Sequence, residues 1–369
     1  QIRNFDAYPE TREGDFLELK SFRMDDSPEA RYVQDILIGC HCYWIKEVDV
    51  DGFRLDAVKH MGEGAISRFC SHIREYAYSL GKKNFFLFGE LVGSEDLYNK
   101  YIGPKTTVSV DGQNIYYGLN SVLDFPLYHI LADVIKGKAS PERLIDRYQS
   151  LHANALGRGE FGEFLVTFLD NHDQVGQSIK HRFGKDATEE QVIAGAGFLL
   201  CALGTPCIYY GTEQGFDGSG EDDSTIRETM FSLEDQATNA LNKSGKIYQS
   251  ISQIAFLRKQ SSVLKFGHMH MRKLSTDGIN CHLPECAKCL LAFSRVLFDQ
   301  ELVVAYNTSP EEEREEYVTV KQQPTEKKRY YKFLFGDTGK VKVLENTEGS
   351  RQFIKLKLRP MQFVILTNQ

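Results

Sequence analysis

Three acids in this chain each stand just past a short apolar run. Asp56 follows Phe53-Arg54-Leu55, Glu90 follows Phe85-Phe86-Leu87-Phe88-Gly89, and Asp173 closes Asp170-Asn171-His172-Asp173 after the run 164–169. In a parallel barrel, the C-terminal ends of the strands are where chemistry is done. Taken singly, each acid reads more simply as a helix cap or an ion-pair partner. As a set they would converge at one mouth of a barrel. A pair of carboxyls, one attacking and one donating a proton, is what cleavage of a glycosidic bond requires.

The neighbours refine the roles. Arg54 precedes Asp56 by two residues, so the period of a strand puts both side chains on one face. A guanidinium there would keep Asp56 ionised, as a nucleophile must be. Glu90 comes after aromatic and apolar residues, a setting in which desolvation raises a carboxyl towards the range of a general acid. His172 would donate to sugar hydroxyls, and Asp173 would stabilise positive charge developing at the anomeric carbon. The plainer readings are a structural Arg54–Asp56 ion pair and a helix-capping Asp173.

The elements around these acids follow a regular rhythm. Ser27-Pro28-Glu29 reads as a helix start, with a capping hydroxyl, a proline at the first position and an acid at the positive end of the dipole. Val33, Leu37, Cys40, Trp44 and Val48 then mark one stripe of a helix. After the strand into Asp56, Ile66, Phe69, Ile73, Ala77 and Leu80 mark a second helix, closed by Gly81. Strands are expected at 85–88, 122–125, 164–169 and 206–210. Between them lie a helix ending at Gly137, another opened by Ser140-Pro141-Glu142, and a third with capping-box spacing at Thr188-Glu189-Glu190-Gln191. Ile247, Ile251, Ile254 and Leu257 stripe the last helix. Strands apolar on both faces, alternating with amphipathic helices, predict an α/β architecture with a helix-covered parallel sheet. Beyond about residue 265 the rhythm changes to strands alone, at 290–298, 302–306, 317–320, 353–358 and 362–366. The expected domains are therefore an irregular segment 1–26, a catalytic β/α region 27–264 and an antiparallel, sandwich-like β domain 265–369.

These residues resemble a known family. Gly52-Phe53-Arg54-Leu55-Asp56-Ala57-Val58-Lys59-His60, Phe88-Gly89-Glu90 and Phe168-Leu169-Asp170-Asn171-His172-Asp173 are similar to the second, third and fourth signatures of the α-amylase family, glycoside hydrolase family 13. Gly204-Thr205-Pro206-Cys207-Ile208-Tyr209-Tyr210-Gly211-Thr212-Glu213 resembles its eighth-strand segment. The resemblance implies a (β/α)8 TIM barrel of which strands four to eight are present, acting on α-glucans or maltooligosaccharides with retention of configuration. It implies Asp56 as nucleophile, Glu90 as acid/base and Asp173 as transition-state stabiliser. Arg54 and His172 would hold the sugar where the bond breaks, and Lys59 and His60 would line the leaving-group side. A transglycosylase using the same covalent intermediate, or a non-catalytic fragment binding glycans or partners, are the alternatives.

The pattern also departs from the family. Its first signature, an aspartate four residues before Asn-His, is absent, and nothing here reads as strands one to three. Residues 1–26 look like the end of an excursion between strand three and helix three, which predicts further chain ahead of Gln1. The family often binds a structural calcium, with the backbone carbonyl at the His60 position among the ligands. Here Glu18 stands where many calcium-binding members have aspartate, so calcium is admitted but no metal ligand is assigned. Net charge is −7, from 44 basic and 51 acidic residues among 369, which argues against nucleic acid. No apolar run is long enough to span a membrane. Eight cysteines without a disulfide framework point to a reducing, cytoplasmic compartment. Cys286 and Cys289 have the gap of a zinc knuckle, but without a second such pair they read as thiols on a β-domain loop. Tyr116, Tyr117 and Phe216 are candidates for stacking on sugar faces.

Overall fold

The computed structural model describes residues 2–16, 18–109, 112–153, 165–174, 179–231, 241–322, 330–346 and 351–369, with 104–109, 112–117, 152 and 153 described by their backbone alone. The chain forms two units, residues 1–126 with 164–166, and residues 127–163 with 167–369.

In the first unit a single helical turn, α1 (Glu10–Glu13), interrupts the segment that the sequence reads as irregular. The helix start at Ser27 is as expected: its hydroxyl accepts from Ala30 N–H, with Pro28 in the first turn. That turn runs into α2 (Arg31–Val48). The expected stripe is not its buried face. Gln34 and Ile45 are buried, while Trp44 and Val48 are half exposed, as are Ile36 and Tyr43. The apolar arc of α2 is wider than one stripe. Gln34 can turn inward because its amide donates to the Asp25 carbonyl at 2.8 Å, which offsets the desolvation.

β1 (Gly52–Leu55) pairs in parallel with β2 (Phe86–Gly89), placing Arg54 opposite Phe88 and Leu55 opposite Gly89. α3 (Glu63–Ser79) joins them and buries Ile66, Phe69, Ile73 and Ala77. Gly81, at φ 84°, takes the left-handed position past its end. α4 (Glu95–Tyr101) and a hairpin of β3 (Pro104–Ser109) and β4 (Gly112–Tyr117) follow. β5 (Ser121–Leu123) pairs in parallel with β2 and with Leu165 and Val166 of β6 (Leu165–Thr167).

Running on into the second unit, α5 (Phe125–Ile135) and α6 (Glu142–Ala153) precede β6 in the chain, and β7 (Lys180–His181) follows it. Thr188 and Gln191 form the capping box of α7 (Glu189–Cys201), which is buried from Gln191 to Cys201. β8 (Thr205–Pro206) is shorter than the expected strand 206–210, although Cys207 still donates to the Thr167 carbonyl at 2.8 Å. Tyr209 and Tyr210 leave the strand because their rings pack over Arg182. β9 (Ser219–Gly220) pairs with β7, and α8 (Lys246–Gln260) and α9 (Ser262–Phe266) close the helical region. No helix among the described residues is long and apolar enough to cross a membrane.

From His268 onward the chain is antiparallel β. The strands are β10 (His268–Met271), β11 (Leu274–Ser275), β12 (Leu290–Leu297), β13 (Gln300–Asn307), β14 (Arg314–Val320), β15 (Tyr330–Phe335), β16 (Lys340–Glu345), β17 (Gln352–Leu358) and β18 (Phe363–Thr367). Lys340 and Val341 of β16 pair with β15, whereas Val343 to Glu345 pair with β17, so the sheet folds back at β16. Alternate residues such as Leu290, Ala292, Val303, Ala305, Ile354, Leu356, Val364 and Leu366 fill one shared core. The opposite face of β12 and β18 meets the helices: Phe293 packs edge-on to Phe198 at 5.2 Å, and a Cβ at Gly197 would strike the Phe363 ring. Arg295 is buried and its guanidinium donates to the carbonyls of Cys201 and Ala202, closing the end of α7. The acidic run 311–316 is a solvated tip only in its first half, since Arg314 already belongs to β14.

Candidate active site

β1 ends where its chemistry begins. Past Asp56 the backbone turns through Ala57 in the left-handed region at φ 48°, an uncommon conformation for alanine. The turn is fixed from β2: Glu90 N–H donates to the Leu55 carbonyl at 2.8 Å, and Val58 N–H donates to the Glu90 carbonyl at 3.0 Å. Gly89 permits this approach, because a Cβ there would meet the side chains of Leu119 and Val58 at 2.7 and 2.8 Å.

The side chains then form one cluster. Arg54 is ion-paired with Asp56, and its other nitrogen lies 3.1 Å from Glu90 Oε2. The two carboxyls share a hydrogen bond. Glu90 is 9% exposed, whereas the Asp56 side chain is 68% exposed. Burial pushes the Glu90 carboxyl up to about 7; the hydrogen bond with Asp56 adds to this, and the Arg54 charge opposes it. Desolvation wins over the guanidinium. Burial therefore favours the proton on the inner acid of the pair.

Lys59 and His60 are engaged by the N-terminal segment. The Lys59 ammonium is paired with the exposed Asp6. His60 Nδ1 lies 2.6 Å from the Thr11 carbonyl, which can only accept, so Nδ1 carries the proton and Nε2 is the acceptor nitrogen. Phe5 and Phe16 meet the imidazole edge-on, and burial holds its pKa below the ordinary value.

His172 and Asp173 belong to the second unit. His172 Nε2 lies 3.1 Å from Asp173 Oδ2, and Arg227 reaches Asp173 Oδ1 at 2.7 Å and the His172 carbonyl at 2.8 Å. Lys180 donates to the Asp173 carbonyl and pairs with Asp223, which also holds Arg227 at 3.0 Å. Three residues upstream, Asp170 is buried and accepts from Phe183 N–H and the Gln174 amide; burial pushes its carboxyl up to about 6. The Asn171 side chain accepts from the backbones of Asp173 and Gln174, which shapes the turn.

The family is then decided by comparison. The model of the α-amylase catalytic domain matches residues 7–253, and that of the α-amylase C-terminal all-β domain matches 286–369. The chain belongs to the α-amylase family. It is 28% identical over 305 residues to an α-amylase of Streptomyces lividans, covering 75% of this chain and 30% of that protein. It is 33% identical over 236 residues to a cyclomaltodextrin glucanotransferase of Paenibacillus macerans, covering 62% of this chain and 28% of that one. Among solved structures, an Anoxybacillus α-amylase superposes with a TM-score of 0.66 at 21% identity, covering 92% of this chain and 64% of that one. A γ-cyclomaltodextrin glucanotransferase of alkalophilic Bacillus clarkii gives 0.70 at 24%, covering 99% and 46%. The chain thus spans about a third of the curated amylase's length. The fold is that of the family's catalytic TIM barrel followed by its antiparallel β domain, and the strands expected as four to eight are all found, at 52–55, 86–89, 121–123, 165–167 and 205–206.

In this amylase-family chain the structure gathers Arg54, Asp56 and Glu90 into one cluster and His172 and Asp173 into another. Arg227, Lys180, Asp223 and Asp6 are missed by sequence reasoning. Asp223 and Arg227 have ordinary helical i,i+4 spacing in a polar stretch, which carries no signal of its own. Phe216 packs over Arg182 at 5.3 Å, and so is not a free sugar platform. The side chains of Tyr116 and Tyr117 lie outside the described residues. His41 of the Cys40-His41-Cys42 run sits edge-on between Phe53 and Phe69. Among the described residues no three His, Cys, Asp or Glu side chains gather to hold a metal ion.

Proposed function

We propose that this chain carries the catalytic groups of a retaining enzyme acting on α-glucosidic bonds in α-glucans or maltooligosaccharides, with residues 27–264 as the catalytic region and 265–369 as the appended β domain. The observation that carries the reading is the Arg54–Asp56–Glu90 cluster: a buried acid that keeps its proton up to about pH 7 beside an exposed one paired with a guanidinium. Asp56 attacks the anomeric carbon while Glu90 gives its proton to the departing oxygen, so the C–O bond breaks as the Asp56 ester forms. Glu90, now a base, takes a proton from water, whose oxygen displaces Asp56. A retaining pair works at about 5–5.5 Å, so the sugar ring must part the hydrogen bond that joins the two carboxyls. Asp173 stabilises the positive charge of the oxocarbenium-like state, and Arg54 and His172 hold its hydroxyls. Lys59 and His60 face the departing sugar, His60 offering Nε2 as an acceptor.

A second reading changes only the acceptor. Several relatives are cyclomaltodextrin glucanotransferases, and a sugar hydroxyl in place of water would make this chain a transglycosylase. The catalytic reading is tested by a fluorinated α-glucosyl fluoride that forms the ester but slows its hydrolysis. The peptide bearing Asp56 should gain the mass of one glycosyl unit; a label elsewhere, or none with active protein, would overturn the assignment. Maltooligosaccharides longer than the substrate, formed at high substrate concentration, would identify the acceptor as sugar.

A further inference from the structure

Arg182 has no place in the mechanism above, yet its side chain is fully buried. A buried guanidinium persists only where partners repay its desolvation. Here Nη1 lies 2.9 Å from Glu228 Oε2 and donates to the Ile226 carbonyl at 3.4 Å, while Nη2 donates to the Tyr210 carbonyl. The rings of Tyr209, Tyr210 and Phe216 lie 4.4, 5.3 and 5.3 Å from the guanidinium carbon, a three-sided aromatic cage for the cation. The cage is itself tied to the same segment: the Tyr209 hydroxyl donates to the Ile226 carbonyl at 3.1 Å and that of Tyr210 to the Glu228 carbonyl at 2.8 Å. Gly211, at φ 82°, leaves room for the Phe216 ring, which a Cβ would strike at 2.4 Å.

The residues that Arg182 grips, Ile226 and Glu228, are the two chain neighbours of Arg227. Arg227 in turn reaches both the Asp173 carboxylate and the His172 carbonyl. We propose that Arg182 is a positioning residue: by holding the Ile226 carbonyl on one side of Arg227 and the Glu228 carboxylate on the other, it aims that guanidinium at Asp173 and sets the carboxylate for the transition state. The catalytic consequence rests on the role proposed for Asp173. The clamp itself does not.

Two measurements on the full chain judge this. Kinetics on maltooligosaccharides compare the parent, Arg182→Met, Arg227→Met and the double variant, with kcat referred to sites titrated by the fluorinated glycosyl fluoride. Arg182→Met should lower kcat per titrated site about 10-fold or more with KM within about threefold, the pattern of an interaction lost in the transition state. The double variant should lose no more than Arg227→Met alone, since one residue acts through the other. A residue that merely holds the fold would reduce the number of titratable sites and leave kcat per site unchanged. In parallel, 15N NMR follows hydrogen exchange at Arg227 Nε, which should be slow in the parent and accelerate in Arg182→Met. If Arg182→Met does not fold, Glu228→Gln, which removes the charge partner and keeps an acceptor, should shift both readouts in the same direction. A parent that cleaves no α-glucosidic bond would overturn the proposed function, and the exchange measurement would still decide the clamp. Unchanged exchange, or strictly additive losses in the cycle, would overturn the inference.

Discussion

Asp56 with Glu90, and Asp173 with His172, both stand just past an apolar strand, but they are held in opposite ways. Glu90 is buried against another carboxyl, with one guanidinium divided between the two. Asp173 is ringed by hydrogen-bonding groups, with the Arg227 guanidinium and His172 Nε2 at its carboxylate oxygens and the Lys180 ammonium on its carbonyl. The first arrangement favours a proton on the buried acid; the second surrounds a carboxyl with basic side chains. A carboxylate at a strand end is therefore not yet a role. What surrounds it decides whether it gives a proton or steadies a cation.

The sharpest break between the two regions should appear in turnover. Asp56→Asn or Glu90→Gln is expected to lower kcat by about 10⁴-fold or more, as for residues that make and break bonds. Asp173→Asn should cost about 10²–10³-fold, the scale of an electrostatic stabiliser. Steady-state kinetics on one maltooligosaccharide would rank them, and an Asp173 loss equal to that of Asp56 would erase the distinction.

The next effect is in pH. As the proposed acid, Glu90 would donate only while protonated, and burial pushes its carboxyl up to about 7. kcat/KM should therefore fall about tenfold per unit as pH rises above about 7, since this ratio reports the free enzyme. The same shift has a sign for stability. A folded-state pKa above the ordinary value of 4.5 means that the folded chain binds the proton more tightly, so Glu90's contribution grows as pH falls from about 7 towards 4.5. Glu90→Gln should flatten that part of the Tm-against-pH curve, and an unaltered curve would show that Glu90 is not the group titrating.

The smallest effect lies where the first region meets the N-terminal segment. Asp6 is exposed, so its pairing with Lys59 is screened by solvent. Asp6→Asn should change KM for long substrates by about two- to fivefold and leave kcat nearly untouched. A large kcat loss would move Lys59 from the leaving-group side into the chemistry.

Much of the first region is legible in sequence because its geometry is local. Arg54 and Asp56 are two residues apart on one strand, and Glu90 follows a run that must be buried. The capping box at Thr188 and the stripe of α3 are legible for the same reason. The second region is not. Arg227 is 54 residues from Asp173, brought there by loops whose course depends on a buried guanidinium and three rings. The face of α2 is misread because a glutamine with a backbone partner can be buried in place of a tryptophan. The strand expected at 206–210 stops early because two tyrosines turn away to Arg182.

The most direct test of a proton-storing pair acting by double displacement is the anomeric form of the first product. Proton NMR of maltooligosaccharide cleavage, read before mutarotation, should show the α-anomer appearing first. First appearance of the β-anomer would mean direct attack by water, and would contradict the assignment of Asp56 as nucleophile.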